Sequence, residues 1–187
     1  MTQLTQETLS PNAAEAVDAY EARQWQLARN LRKYLLLVTL IAIPFSMAST
    51  WIIKSYIVAG NSTSSLPDAF FIVERDRNFK PKRGDLFAFR VGQGVRHYPV
   101  GLIFIKRVVG VSGDKIEWQG NKVFVAGKYV GEGKVKNSFN EPLEWTKSEI
   151  IPAGMYFAAT ESPQSYDSRY TDIGLINQSQ IVGSIAW

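Results

Sequence analysis

From Tyr34 to Ile53 the chain reads YLLLVTLIAIPFSMASTWII, a run without a single charged side chain. About twenty apolar residues suffice to span the hydrocarbon core of a bilayer, so this run dictates a membrane helix before anything else is decided. Pro44 lies inside it, and proline is tolerated in membrane helices where it would break a soluble one. Arg23, Arg29, Arg32 and Lys33 precede the run and only Lys54 follows it closely. Basic residues favour the cytoplasmic side, which leaves everything after residue 57 on the far side. The run is too long for the core of a cleavable signal peptide, so an uncleaved anchor is expected; a buried helix of a soluble protein is the bland alternative. Ser10-Pro11 followed by Asn12-Ala-Ala-Glu is a helix start, with a capping hydroxyl and proline at the first helical position. The expected organisation is a cytoplasmic N-terminal helix over 1–33, a transmembrane anchor over 34–57 and a folded domain over 58–187.

The 187 residues allow one folded unit beside the anchor. There is no cysteine, which excludes a disulfide framework, a thiolate nucleophile and a cysteine metal site. The single histidine, His97, excludes a multi-histidine metal site and leaves little room for a serine-histidine-aspartate triad. It lies in Val95-Arg-His-Tyr-Pro99, a loop segment without a neighbouring acid to orient an imidazole. The net charge of +4 is small, and several basic residues flank the apolar run, so nucleic acid is not an expected partner.

Beyond the anchor the texture changes to short β-rich runs: 70–73, 85–91, 102–109, 115–118, 122–125, 155–159 and 180–187. Turn residues at Arg83-Gly-Asp, Ser112-Gly-Asp, Gln119-Gly-Asn and Pro152-Ala-Gly separate them. The expected fold is mainly β.

Two stretches carry chemistry. Residues 61–71, Asn-Ser-Thr-Ser-Ser-Leu-Pro-Asp-Ala-Phe-Phe, are dense in hydroxyls, a pattern that also suits a solvated linker. In Phe104-Ile-Lys-Arg-Val-Val-Gly-Val-Ser-Gly-Asp114 a lysine stands within an apolar strand. Burial disfavours the ammonium form and moves a lysine toward service as a general base. Successive strand residues point to opposite faces, so either Lys106 or Arg107 faces the interior while the other faces solvent, and the pattern alone does not choose.

With Ser165-Tyr-Asp-Ser-Arg169 near the C-terminus, these stretches resemble, in order, the type I signal peptidases. The first stretch is most similar to the TraF-type peptidases of conjugative plasmids, whose motif Asn-x-Thr-x-Ser-x-Pro-x-Gly-x-Tyr is matched by Asn61, Thr63, Ser65 and Pro67, with Ala69 and Phe71 as departures. The Gly-Asp-Asn-Arg usual before the C-terminal motif is replaced by Thr160-Glu-Ser-Pro-Gln.

The resemblance implies a signal-peptidase-like β domain on one membrane helix, with Ser65 as nucleophile and Lys106 as general base. Housekeeping members place the nucleophile three residues before the proline, which would select Ser64. With Ser65 the oxyanion donors would be its own N–H and the Thr63 hydroxyl; with Ser64 the hydroxyl would be that of Ser62. Ser165 would hold the lysine, and Asp167 and Arg169 would support it, unless they form only a surface ion pair. No metal or organic cofactor is implied. The implied partners are the lipid bilayer and a membrane-tethered precursor protein, such as a conjugative pilin, and the implied location is a bacterial inner membrane with the catalytic domain periplasmic. A general signal peptidase and a non-catalytic scaffold of a transfer or secretion apparatus are the alternatives.

Overall fold

The computed structural model describes residues 11–60 and 66–186. Helix α1 runs unbroken over Pro11–Ser55 with Pro44 inside it. Its apolar window has a mean hydropathy of 2.0, and none of that window is buried. A helix that leaves its apolar surface uncovered needs lipid or another partner around it. Among the described residues it is the one helix long and apolar enough to cross a membrane.

The second compact unit, Ile52–Trp187, is mainly β, as expected. Its strands are β1 (Tyr56–Gly60), β2 (Phe70–Arg75), β3 (Leu86–Arg90), β4 (Ile103–Gly110), β5 (Ile116–Gln119), β6 (Lys122–Val125), β7 (Lys128–Glu132), β8 (Met155–Ala159), β9 (Ile176–Asn177) and β10 (Ile181–Ile185). Seven form one sheet in the order β1-β2-β10-β3-β4-β8-β9, and β5-β6-β7 form a second. The final strand is therefore inserted between β2 and β3.

Local chemistry accounts for the elements. In β3 the alternation Phe87-Ala-Phe89 puts both phenylalanines on one face and Ala88 on the other, where it meets Val73 and Val182. Strand β8 is buried on both faces: Tyr156 and Ala158 join Phe87, Phe89 and Val108, while Phe157 and Ala159 join Ile116, Val123, Val125 and Ile151. A strand between two cores reads as a continuous apolar run, as Met155-Tyr-Phe-Ala-Ala does. Gly120, with φ of 62°, turns β5 into β6 through the two-residue link Gly-Asn. At Gly183 a Cβ would collide with the Glu74 carbonyl oxygen, so glycine there lets β10 lie against β2.

Three strands go beyond the expected seven. β1 continues the apolar texture of the anchor and pairs with β2, Tyr56 opposite Glu74 and Gly60 opposite Phe70. β7 is the polar Lys-Tyr-Val-Gly-Glu, and β9 has only two residues.

Candidate active site

Strand β4 pairs with β3 and β8, so Lys106 lies in the middle of the sheet rather than at an edge. Its partner in register is Phe87, with Phe89 opposite Phe104 one step along the same face. The alternation left open by the sequence is resolved: Lys106 is 6% exposed, whereas Arg107 points outward and donates to the Gly84 carbonyl at 2.6 Å.

Phe87 and Val108 are fully buried beside the lysine, and the Phe104 ring centroid is 5.7 Å from Nζ. Removal from water is the largest influence on the ammonium and pushes its pKa below the usual lysine range. Asp167 works against that shift and Arg169 with it. The neighbouring pair thus offsets itself, and burial decides the direction.

Lys106 Nζ donates to Ser165 Oγ at 2.9 Å, and Ser165 is itself 3% exposed. The loop that carries Ser165 is held by its own charges. Arg169 grips Asp167 through Nε–Oδ1 and Nη2–Oδ2 contacts, both 2.8 Å. Nη2 also donates to the Ser162 and Ser165 carbonyls at 3.1 and 3.2 Å, and Nη1 to that of Glu132 at 3.2 Å. Asp167 in turn accepts from the Thr160 N–H at 3.3 Å. Both charged residues are fully buried, so the pair is not the surface ion pair that the sequence left possible. Planar, two-point contact is the geometry in which a buried arginine-carboxylate pair is best satisfied.

Ser168, to which the sequence reading gave no role, is equally buried; its Oγ accepts from the Ala158 N–H at 3.0 Å and its N–H donates to the Ala158 carbonyl. It ties the motif to β8, which pairs with the lysine strand. A lone serine between charged residues carries no signal that would have marked it.

The remaining predicted residues, Ser65 and Thr63 with the rival pair Ser64 and Ser62, lie outside the described residues. Leu66 and Pro67, which follow them, line a cavity of about 440 Å³ together with Arg107, Val108, Ala159 and Thr160. Arg107 and Val108 directly follow Lys106 in β4, and Ala159 is the register partner of Arg107 at the end of β8.

His97 needs a correction. No acid lies near it in sequence, but the fold brings Glu141 to 2.7 Å from Nε2, and the ring stacks on Phe139 at 4.3 Å between centroids. It is still a loop residue, in a left-handed conformation with φ of 66°. Among the described residues no cluster of His, Asp and Glu suited to a metal ion occurs.

The family model described as signal peptidase, peptidase S26, matches residues 29–187. Signal peptidase I P of Bacillus subtilis subsp. natto is 31% identical over 163 residues, 79% of this chain and 82% of the relative. Signal peptidase IB of Staphylococcus aureus is 32% identical over 100 residues, 45% of this chain and about half (51%) of the relative. A crystal structure of a signal peptidase I from Enterococcus faecalis V583 is 30% identical and covers 57% of this chain and 97% of its own, with a TM-score of 0.39. With a buried lysine on an interior strand and a family match that takes in the serine-rich stretch, the lysine strand and the C-terminal motif, the chain belongs to the signal peptidase family, peptidase S26.

Proposed function

We propose that this protein is a membrane-bound serine endopeptidase that processes secreted precursors with a Ser65-Lys106 dyad. The observation that carries the reading is Lys106: a lysine buried in an apolar sheet, lowered in basicity and aimed by Ser165, in a chain of the signal peptidase family.

Neutral Lys106 takes the proton of Ser65 as its Oγ attacks the scissile carbonyl. The charge that develops on the carbonyl oxygen is met by the Ser65 N–H and the Thr63 hydroxyl. Lys106 passes the proton to the leaving amine, and the acyl-enzyme remains. Lys106 then takes a proton from the attacking water and returns it to the Ser65 oxygen as the ester bond breaks, so one base serves both half-reactions. Ser165, anchored by Asp167 and Arg169, holds Nζ on line throughout. The basic residues before the apolar run support a cytoplasmic N-terminus, with residues 58–187 on the far side of a bacterial inner membrane, where membrane-tethered precursors emerge.

A general signal-peptidase role agrees with the named relatives. A narrower one, maturation of a conjugative pilin, rests on the register of Asn61, Thr63, Ser65 and Pro67. In that version an amine of the substrate can replace water at the acyl-enzyme and give a cyclic product.

Intact mass spectrometry of precursor proteins incubated in detergent with the wild-type chain, Ser65→Ala and Ser64→Ala tests the reading. Loss of cleavage with Ser65→Ala alone is expected; loss with Ser64→Ala alone moves the nucleophile by one residue. Cleavage by both variants, or a folded Lys106→Ala variant with full activity, overturns the dyad. Cleavage of one pilin precursor among many supports the narrower role, and a product lighter by one water reveals cyclisation.

A further inference from the structure

Beside Ser165, on the loop side of the site, lies a cavity of about 220 Å³ that the reaction as derived does not use. Its size suits one or two side chains rather than a large cofactor. One wall is aromatic: Tyr98 stacks on Tyr166 with centroids 5.8 Å apart and Tyr166 stacks on Tyr170 at 5.4 Å; Phe139 also lines the cavity.

The charges around it do not cancel. Its acidic neighbours, Glu141 and Asp172, are already engaged. Glu141 takes hydrogen bonds at 2.7 and 2.8 Å from the His97 ring and the Asn137 side chain, with Arg96 at 4.0 Å. Asp172 accepts from Arg96 Nε at 2.9 Å and from the Tyr166 hydroxyl. Lys134 and Lys136 face the same cavity, and among the described residues their ammonium groups donate to neutral oxygens, the side-chain amides of Gln164 and Asn140. Two ammonium groups thus line a concave, aromatic-walled space, and neither has a carboxylate partner among the described residues.

The cavity is also joined to the catalytic machinery. Lys134 holds Gln164, which is adjacent in sequence to Ser165, and Ser165 itself lines the cavity while its Oγ accepts from Lys106. Whatever occupies this space therefore lies against Ser165, whose Oγ holds Lys106.

We propose that this cavity is a subsite for a carboxylate of the substrate polypeptide, an aspartate or glutamate close to the scissile bond, with Lys134 and Lys136 as its charge partners and the tyrosine stack as its apolar wall. The role is one of specificity: an anion there is attracted by the lysines, and a cationic side chain is repelled. The inference rests on the peptidase reading for the identity of its ligand but not for its test, since binding can be read without cleavage.

The experiment uses the full chain in detergent with Ser65→Ala to block turnover, and short fluorescent alanine-rich peptides. Each carries one aspartate, or asparagine in its place, at successive positions on either side of the intended scissile bond. Binding by anisotropy is expected to favour aspartate over asparagine by roughly three- to tenfold at one or two positions. That preference should fall as salt is raised, vanish in the Lys134→Gln, Lys136→Gln double variant, and invert toward a lysine-bearing peptide in Lys134→Glu, Lys136→Glu. A preference in binding with no cleavage by the wild-type chain would keep the subsite and remove the peptidase reading. Equal binding of the aspartate and asparagine peptides at every position, or a preference that survives both double variants, overturns the subsite. So does cleavage by the wild-type chain whose kcat/KM is indifferent to the acid.

Discussion

Two polar networks in the domain, one around Asp167 and Arg169 and one around Arg96 and Glu141, are built for opposite ends. Asp167 and Arg169 are fully enclosed, bonded at two points and shared with backbone carbonyls, and they hold the loop that positions Lys106. Arg96, His97, Glu141 and Asp172 also form a chain of ionic contacts, but Arg96, His97 and Glu141 are 37–40% exposed in their side chains. In the first network water is absent and every charge must be answered by geometry, so loss of one partner strands the other. In the second, water answers for a missing partner, and the contacts orient loops more than they stabilise them. Lys106 belongs with the first network: its lowered basicity follows from the same exclusion of water that makes the ion pair obligatory.

Several measurements would sharpen or break that contrast. Lys106→Met fills the same apolar space without an ammonium; cleavage is expected to drop about ten-thousandfold while thermal melting shows a folded domain. Retained activity would remove the lysine from the mechanism. Next, Asp167→Asn leaves the Arg169 guanidinium buried and unanswered, at an expected cost of about 3–5 kcal/mol in chemical denaturation. Asp172→Asn should give a change near the resolution of the same experiment, and equal losses would erase the distinction between the networks.

Ser165→Ala removes the acceptor that aims Nζ, and kcat is expected to fall about tenfold to a hundredfold with KM little changed. The acid limb of the wild-type pH-rate profile provides a related check. Lys106 has a lowered pKa in the folded state, so the unfolded chain binds more protons between that value and the ordinary lysine pKa. Stability contributed by this group therefore rises with pH through that interval, and activity rises as the folded-state proton is lost. An acid limb at or above the ordinary lysine range would contradict desolvation as the cause.

The smallest effect is expected at Thr160, whose Oγ1 is buried without a hydrogen-bond partner among the described residues. Thr160→Val should stabilise the domain by about 1 kcal/mol in denaturant, because an unanswered hydroxyl is replaced by a methyl. Destabilisation would mean that the hydroxyl has a role in the buried network.

Much of this was legible in the sequence, for identifiable reasons. An uncharged run such as Tyr34–Ile53 is its own evidence, because its length and composition are set against a bilayer of given thickness. Strands flanked by turn residues, such as Lys122–Val125 after Gln119-Gly-Asn, follow from local backbone chemistry, and the order of the three motifs carried the family resemblance. β1 escaped because its apolar residues continue the anchor without a break, and β7 because its polar residues give no alternation to read.

What the sequence by itself determined is the long apolar helix, the β character of the domain and the residue types available for chemistry, all of which follow from interactions between near neighbours in the chain. Only the tertiary structure decided that Lys106 and not Arg107 is inside, that Asp167 and Arg169 are sealed from water, and that Glu141 meets His97. Each depends on segments distant in sequence packing against one another: β3 and β8 flank the lysine strand, and β10 crosses back to complete the sheet. Alternation specifies that two residues face opposite ways, but which way is inward is set by what the rest of the chain lays against the sheet.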